Sequence, residues 1–232
     1  MREIVFDTET TGLDPVTGDR LVEIGCIELV NRFPTGNVFH RYINPERDMP
    51  EGAFRVHGLS IEFLKDKPKF AEVVEDLVTF IGNDASLIAH NAMFDLGFLN
   101  AELKRANREQ VNRDRLIDTL MLARRKHPGG SNKLDDLCVR YKIDNSRRTK
   151  HGALLDAELL AEVSLELIGA RQASFGLAEA ASAGTVARGM GGTILLRPQP
   201  LPPRVSAEEL AAHQAFIATL GDSALWLNYR SA

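Results

Sequence analysis

The spacing of apolar residues changes along this 232-residue chain, and that change limits the folds that the chain can adopt. Runs rich in β-branched residues occupy positions 3–8, 21–30 and 37–43 and predict three consecutive antiparallel strands joined by turns. From Ala71 to Gly82 the apolar positions instead recur at helical spacing. A chain that begins with strands and continues with helices predicts an α/β fold in which a sheet is flanked by helices.

Strands and helices alternate after this change of period. The stretch "SLIAHN", which starts at Ser86, predicts a short buried strand, and the "MFDLGFLNAELKRAN" that follows predicts a helix. Further helices are expected over residues 116–126, 133–141 and 152–171. The three antiparallel strands plus further strands would then form one mixed sheet.

The composition shifts to Ala, Gly and Pro between Ala173 and Ser206, which is typical of a linker. After this linker, Ser206 and Glu209 have the spacing of a helix capping box. We therefore predict a globular domain over 1–171, a linker over 172–205 and a docking segment over 206–232. Its apolar residues are too few for a core of their own, so we expect this flexible C-terminal tail to dock on a partner. Those residues are Leu210, Phe216, Ile217, Leu220, Leu225 and Trp226.

The sequence also indicates a compartment. No apolar run approaches the roughly 20 residues that a membrane span needs, and the early acidic residues Asp7 and Glu9 argue against a signal peptide. We therefore expect a cytoplasmic protein. Cys26 and Cys138 match no metal-ligand spacing and are expected to be buried, reduced thiols.

The formal net charge of −4 conceals an uneven distribution along the chain. Lys104–Lys150 contains 14 Lys or Arg against 6 Asp or Glu, whereas residues 1–103 contain 9 against 18. A basic middle beside carboxylate-rich ends suits a protein that grips phosphates next to a divalent-cation site. A solvated helical face would explain many of the basic residues equally well.

Two carboxylates end the first predicted strand. Asp7 and Glu9, in "VFDTETTGLD", are two residues apart and therefore share one face of the strand. Like charges held so close need a cation or a shared proton. The alternative is a polar strand end before a turn formed by Thr10, Thr11 and Gly12. Both interpretations fit the decapeptide alone.

Two further acidic residues and a histidine adjoin apolar segments. Asp95 lies at the start of a predicted helix, and Asp156 interrupts an apolar stripe where an unpaired charge would be unfavourable. Four carboxylates without cysteine ligands favour Mg²⁺ or Mn²⁺ over zinc. Two such ions, roughly 4 Å apart, can activate water at a phosphodiester and stabilise the leaving oxygen. His151, in a loop before the helix of Asp156, is the candidate general base.

The motifs that contain these residues follow one another in a familiar order. "FDTETTG", "VHGL", "HNAMFD" and "HGALLDA" resemble the DEDDh family of 3′–5′ exonucleases over roughly the first three quarters of the chain. This resemblance implies a ribonuclease H-like fold and two bound divalent cations. Asp7 would bridge both ions, Glu9 and Asp156 would complete the ion that holds the attacking water, and Asp95 would face the second ion.

The resemblance also implies a substrate and partners. Within the family the sequence looks most similar to proofreading subunits of bacterial replicative polymerases, so the substrate would be a frayed or single-stranded 3′ end of DNA. The tail would bind the polymerase subunit. The implied substrate-binding residues are Thr10, Gly12, His57, His90 and Asn91. For His90, a hydrogen-bonded structural role is the favoured alternative.

A short peptide where the last predicted helix ends suggests another partner. "QASFGL" resembles the clamp-binding peptides of bacterial replication proteins, in which Gln172 would hydrogen-bond and Phe175 and Leu177 would fill a pocket of the sliding clamp. Alternatively, the two apolar residues cap the core of the domain.

An RNA-trimming exonuclease and an adaptor protein are the two alternative functions. An RNA-trimming relative of ribonuclease T or oligoribonuclease would use the same catalytic set, because discrimination rests on the 2′-hydroxyl. The proline-rich tether with its amphipathic end favours the proofreading subunit. An adaptor with a vestigial site is disfavoured for the first domain, since all five catalytic positions hold competent residues, but it is the preferred interpretation of the tail.

Overall fold

Three antiparallel strands begin the protein, whose computed structural model describes residues 1–169 and 205–221. They are β1 (Arg2–Thr10), β2 (Leu21–Val30) and β3 (Phe33–Tyr42), and β2 pairs antiparallel with both of its neighbours. The predicted antiparallel set is therefore confirmed. Strand β3 begins before the predicted residue 37, because Phe33 and Pro34 already pair with the end of β2.

Helices and two parallel strands complete the sheet and cover its faces. The sheet order is β3-β2-β1-β4-β5, with β4 parallel to β1 and β5 parallel to β4. This mixed five-stranded sheet confirms the predicted fold class. The remaining elements before residue 170, in chain order, are α1 (Glu51–His57), α2 (Ile61–Leu64), α3 (Phe70–Ile81), β4 (Ser86–Ala89), α4 (Ala92–Arg105), a 3₁₀ turn (Arg113–Arg115), β5 (Leu116–Asp118), α5 (Thr119–Lys126), α6 (Leu134–Tyr141) and α7 (Ala153–Leu167).

One predicted helix was wrong at its start. Residues 116–118 form strand β5 rather than the first turn of a helix, and they pair with residues 87–89 of β4. Helix α5 begins only at Thr119, where the Asp118 side chain accepts a hydrogen bond of 2.9 Å from the backbone N–H of Leu120. The apolar Leu116 and Ile117 fit either period, so the N-cap was the signal that separated strand from helix.

The sheet separates two hydrophobic cores. Ile4 and Phe6 of β1 belong to the core that includes α3 and α4, whereas Val5 belongs to the core that includes α6 and α7. This division follows from the alternation of side chains along a strand. Cys26 and Cys138 are buried and free, as predicted, one in each core.

Helix α7 packs against the sheet at a glycine. Gly25 of β2 pairs with Asp7 of β1, and a Cβ built on Gly25 would lie 2.4 Å from the Cα of Leu154. Real Cβ atoms do not approach a backbone so closely, so the contact requires glycine. The close approach fixes the first turn of α7, which contains Asp156, beside the end of β1.

Beyond residue 204 the structure describes one helix, α8 (Ala207–Thr219), in the second of the two units into which the chain divides, Met1–Phe175 and Gly176–Ala232. The Ser206 hydroxyl accepts from the Glu209 backbone N–H at 3.2 Å, and the Glu209 carboxylate accepts from the Ser206 backbone N–H at 2.8 Å. The capping box is therefore confirmed. The linker and domain boundaries stay predictions, and Gln172, Phe175, Leu177, Leu225 and Trp226 lie outside the described residues.

The glycine contact generates a stability prediction. Gly25→Ala should push α7 away from the sheet and destabilise the fold by about 1–3 kcal/mol, the usual effect of overpacking. For a domain of this size the melting temperature should fall by about 2–4 °C per kcal/mol. Gly52→Ala is the control, because a methyl group there meets no atom within 4 Å and α1 should be unaffected or slightly stabilised. Equal melting temperatures for Gly25→Ala and the wild type would contradict this packing.

Candidate active site

One cleft of about 1290 Å³ contains all of the predicted catalytic and substrate-binding residues. It opens at the carboxyl end of β1 and is lined by residues of α1 and α4 and of the segments that precede α6 and α7. The predicted residues that line it are Asp7, Glu9, Thr10, Gly12, His57, His90, Asn91, Asp95, His151 and Asp156. The sequence predicts one site for these residues, but it does not show which strands and helices form that site.

Strand β1 distributes its polar residues between two helices. Asp7 and Glu9 lie on the same side of the strand as Val5, whose core includes α7. Thr8 points to the other side, where its hydroxyl donates a hydrogen bond of 2.7 Å to Oδ1 of Asp95 in the first turn of α4. The register of β1 with β2 shifts after Glu9, and such a bulge redirects the chain into the loop that borders the cleft.

The carboxylates repel one another. Burial raises the pKa of Asp7 well above its ordinary value, and the charges of Asp95, Glu9 and Asp156 raise it further. Burial, followed by the charge of Asp156, raises the pKa of Glu9 to about 8. Burial likewise raises the pKa of Asp95 to about 7, although the hydrogen bond from Thr8 opposes it. The negative charge in the cleft therefore favours the binding of cations.

Asp156 is paired directly with a cationic side chain, Arg148. Burial alone would raise its pKa, but the hydrogen bonds that Arg148 donates, together with the adjacent His151 ring, outweigh burial and lower it. Nδ1 of His151 lies 3.2 Å from Oδ2 of Asp156. One ligand atom each from Glu9, His151 and Asp156 lie within 4.8 Å of one another, a spacing that suits a shared metal ion.

His151 stands at the mouth of the site. Its side chain is 48% exposed, whereas that of Asp156 is 3% exposed. The backbone N–H of His151 donates to the carbonyl oxygen of Val56 at 3.3 Å, which joins the histidine loop to α1. Lys150 adds to this junction, because its ammonium lies 5.2 Å from the ring centre of Phe54. The imidazole thus reaches solvent while its backbone is held.

His90 is hydrogen-bonded within the protein at both ring nitrogens. Nδ1 lies 2.9 Å from the Thr119 hydroxyl, and Nε2 lies 2.9 Å from the carbonyl oxygen of Asn132, to which it donates. Asn132 in turn donates from its side chain to the carbonyl oxygen of Gly130 at 2.9 Å. These bonds hold the loop before α6 against the cleft and favour the structural alternative for His90.

Asn91 and His57 position neighbouring backbone. Asn91 is the N-cap of α4 and has φ 66° and ψ 46°, a left-handed conformation that asparagine tolerates better than most residues. His57 ends α1, and its Nδ1 accepts a hydrogen bond of 3.0 Å from the Leu59 N–H. Among the described residues, buried Nε2 of His57 has no hydrogen-bond partner. A polar group in the cleft would satisfy it.

The turn after β1 is ordered by its own side chains. The Thr10 hydroxyl donates to the carbonyl oxygen of Gly12 at 2.6 Å. A Cβ on Gly12 would lie 2.2 Å from a carboxylate oxygen of Asp19, so any larger residue there would displace the Asp19 side chain. Asp19 is itself paired with Arg47 at 2.7 Å.

Sequence reasoning missed several residues that shape the site. Glu23 of β2 is buried beside Glu9 through the strand register, raises the pKa of Glu9, and lies 2.7 Å from Nε2 of His40. Arg148 and Thr8 contact Asp156 and Asp95 directly. Arg148 precedes His151 by three residues, and this proximity is the signal in the sequence that could have identified it.

Buried acidic residues that converge at the end of the first strand of such a sheet define a metal-dependent nuclease of the ribonuclease H-like class. The comparisons with known proteins agree. The family model described as "Exonuclease" (RNase T) matches residues 4–164. Among solved structures, the nuclease domain of 3′hExo, a DEDDh family member bound to rAMP, superposes with a TM-score of 0.62 at 17% identity and covers 73% of this chain and 92% of that one.

Two curated relatives match nearly the whole chain. The "DNA polymerase III subunit epsilon" of Rickettsia felis is 48% identical over 230 residues, covering 95% of this chain and 97% of the relative. The protein of the same name from Escherichia coli K12 is 43% identical over 240 residues, covering 97% of each. The chain therefore belongs to the DEDDh exonuclease family and is similar to its DNA polymerase III epsilon subunits. Within 1–169 and 205–221, every helix is too short or too polar to cross a membrane.

The raised pKa values predict how stability depends on pH. The ordinary values are 4.5 for Glu9 and 3.8 for Asp95, so at intermediate pH the folded protein holds protons that the unfolded chain has lost. Stability of the metal-free protein should therefore be highest near pH 4–5 and decline as pH rises through about 7–8. Thermal unfolding in EDTA at pH 5, 6.5 and 8 measures this decline. Mg²⁺ should raise the melting temperature more at pH 8 than at pH 5.

Asp7→Asn isolates the cause of the decline. Without one of the repelling charges, the metal-free variant should melt several degrees higher than the wild type at pH 8, because each pKa unit corresponds to about 1.4 kcal/mol. Asp76→Asn, at an exposed position, should leave the profile unchanged. A wild-type melting temperature that rises from pH 5 to pH 8 in EDTA would refute the repulsion.

Proposed function

We propose that this chain is the proofreading 3′–5′ exonuclease of DNA polymerase III, which removes mispaired nucleotides from DNA 3′ ends and releases 5′-mononucleotides. The observation that carries the proposal is the convergence of four carboxylates and His151 in one cleft. Identity of 43–48% to epsilon subunits over nearly the whole chain supports the assignment to replication. Such an enzyme would act in the cytoplasm.

The donor set fits hard divalent cations. Carboxylate oxygens dominate it, the described cysteines lie in the cores away from the cleft, and three of the acids have pKa values that burial and repulsion raise. Asp7, Glu9, Asp95 and Asp156 would hold the ions. Two Mg²⁺ or Mn²⁺ ions bound here would lower the pKa of a water and neutralise charge on the phosphate.

His151 is suited to accept the proton of the attacking water. Its half-exposed ring lies beside Asp156, and its pinned backbone lets only the side chain move over the cleft. Histidine is the side chain most often used as a general base in catalysis. Asp156 would orient the ring and stabilise the imidazolium after transfer.

The remaining walls of the cleft fit a terminal nucleotide. Val56 of α1 and half-buried Phe94 of α4 are apolar surfaces, and Nε2 of His57 is a buried donor without a partner among the described residues. Arg124 and Lys133 line the opposite wall and would contact phosphates of the strand that leads to the 3′ end. A single-stranded or frayed end can enter such a cleft, whereas paired bases must separate first.

The proposal is tested with matched DNA and RNA oligonucleotides that end in a mispaired 3′ nucleotide. Mg²⁺-dependent release of 5′-mononucleotides from DNA is expected, with none in EDTA. Faster degradation of RNA would favour the alternative, an RNA-trimming exonuclease of the ribonuclease T or oligoribonuclease type. Activity that survives EDTA would exclude both enzymes.

The same assay tests the base. His151→Ala should lower the rate by roughly 10²-fold or more, the usual contribution of general base catalysis, while Mg²⁺ binding persists. His213→Ala, an exposed histidine of α8, is the matched control and should keep the wild-type rate. Loss of Mg²⁺ binding in His151→Ala would show that this histidine is a ligand instead.

We further propose that the tail joins the enzyme to the polymerase (alpha) subunit. Leu210, Phe216 and Leu220 are 50%, 60% and 42% exposed, which leaves apolar surface for a partner. Ile217, also predicted to dock, is 6% exposed and does not share that surface. Contact of Gln172, Phe175 and Leu177 with the sliding clamp is proposed from the sequence alone, and it would be aided by the tether.

Removal of the tail should abolish binding to the polymerase subunit without changing the nuclease activity. A chain that ends at Val205 is expected to degrade free oligonucleotides at the wild-type rate but to lose co-purification with the polymerase subunit. Full-length Phe216→Ala/Leu220→Ala should show the same split, and Glu208→Gln, exposed on the same helix, is its control. If both activities fall together, α8 belongs to the catalytic unit.

A further inference from the structure

Arg148 is almost enclosed by three partners of the active site. Its side chain is 6% exposed. Nε lies 2.5 Å from Oδ1 of Asp156, and Nη2 lies 2.7 Å from Oδ2 of the same carboxylate. Nη2 also lies 2.7 Å from Nδ1 of His151, while Nη1 lies 2.5 Å from Oδ2 of Asp135. The guanidinium therefore bonds two acids and the proposed base at once.

The pair with Asp156 occupies both oxygens of a proposed metal ligand. A bidentate guanidinium–carboxylate pair is strong and directional, so Asp156 cannot offer the same lone pairs to another cation while the pair persists. Burial and neighbouring acids raise the pKa of Asp7 and Glu9, and the positive charge of Arg148 opposes this for both. In the absence of metal, the positive charge of Arg148 thus partly offsets the repulsion among the acids.

The contact with His151 has a second consequence. A guanidinium only donates hydrogen bonds, so Nδ1 of His151 must be the acceptor. Its lone pair is then occupied and cannot take a proton from water. The base is held in place, but it is not free to act.

Asp135 is the second carboxylate that the guanidinium of Arg148 contacts. It lies in the first turn of α6, lines the cleft, and its side chain is 52% exposed. Its Oδ1 accepts a hydrogen bond of 3.0 Å from Asn145, which fixes the carboxylate. Arg148 can therefore keep one charged bond while it releases Asp156 and His151.

We propose that Arg148 is a built-in counter-ion of the active site, which holds Asp156 and His151 in the metal-free enzyme and withdraws onto Asp135 when a divalent cation binds. The proposal rests on the proposed metal-dependent function. It makes metal binding the event that frees both the ligand and the base. Arg148 is then a positioning residue, and it competes with the ion for one carboxylate.

Mg²⁺ binding to the full-length protein tests the competition without any substrate. Arg148→Gln should bind Mg²⁺ roughly tenfold more tightly than the wild type, since the bonds of Arg148 to Asp156 and His151 no longer have to be broken. Asp135→Asn should bind Mg²⁺ more weakly. Without the Asp135 carboxylate, Arg148 has no charged partner to which it can withdraw, so it is harder to displace from Asp156. The double variant should behave like Arg148→Gln. Isothermal titration calorimetry measures all three affinities.

Arg147→Gln is the matched control. It removes the same charge one residue away, from a side chain that is 77% exposed and pairs with Glu158 at 3.4 Å, and it should leave the Mg²⁺ affinity unchanged. Arg148→Lys keeps the charge without the bidentate pair and should fall between wild type and Arg148→Gln. This second variant preserves the test if Arg148→Gln folds poorly, which circular dichroism would show.

Tighter Mg²⁺ binding by Arg148→Gln together with weaker Mg²⁺ binding by Asp135→Asn supports the withdrawal of Arg148 from Asp156 onto Asp135. Weaker or unchanged Mg²⁺ binding in both Arg148 variants would overturn it, because an arginine that only braces the loop or only binds phosphate does not compete with the ion. Failure of the proposed function would appear separately. In that case wild-type protein binds Mg²⁺ with these variant effects but degrades no oligonucleotide.

Discussion

Repulsion among buried carboxylates is the constraint on which the rest of this structure depends. Asp7, Glu9, Asp95 and Asp156 gather in a partly desolvated cleft, where burial and the charges of the neighbouring acids make Asp7 and Glu9 harder to ionise. Such a cluster forms only if the surrounding packing outweighs it. The cores on the two faces of the sheet supply that stability, and they also fix the directions from which the acids approach.

The fold could be predicted largely from the change of hydrophobic period, and the site from residue types next to apolar segments. The predictions that failed concern short segments of the chain. Short α1 and α2 carry too little periodicity to be recognised, and Leu116 and Ile117 fit strand and helix equally. The ten candidate residues could be found because their motifs are contiguous in sequence. Their partners could not, because the contacts of Glu23 with Glu9 and of Arg148 with Asp156 and Asp135 depend on strand register and loop path.

Helix α1 and the loop before α7 form a single wall although they are distant in sequence. The backbone bond from His151 to Val56 and the contact of Lys150 with Phe54 connect them. The surface that would hold the terminal nucleotide is therefore joined to the histidine that would act on the water. Movement of either segment would therefore alter substrate position and base position together.

The packing of α7 on β1 and β2 also bears on how the protein is made. Asp7 and Glu9 leave the ribosome near the beginning of synthesis, but Asp156 and the helix that seats against Gly25 emerge only when almost the whole domain has been translated. Closing so long a loop is slow and requires an intact sheet. A chain that ends before α7 therefore lacks Asp156 and cannot form the complete cleft. The acidic cluster is therefore completed only near the end of the synthesis of this domain.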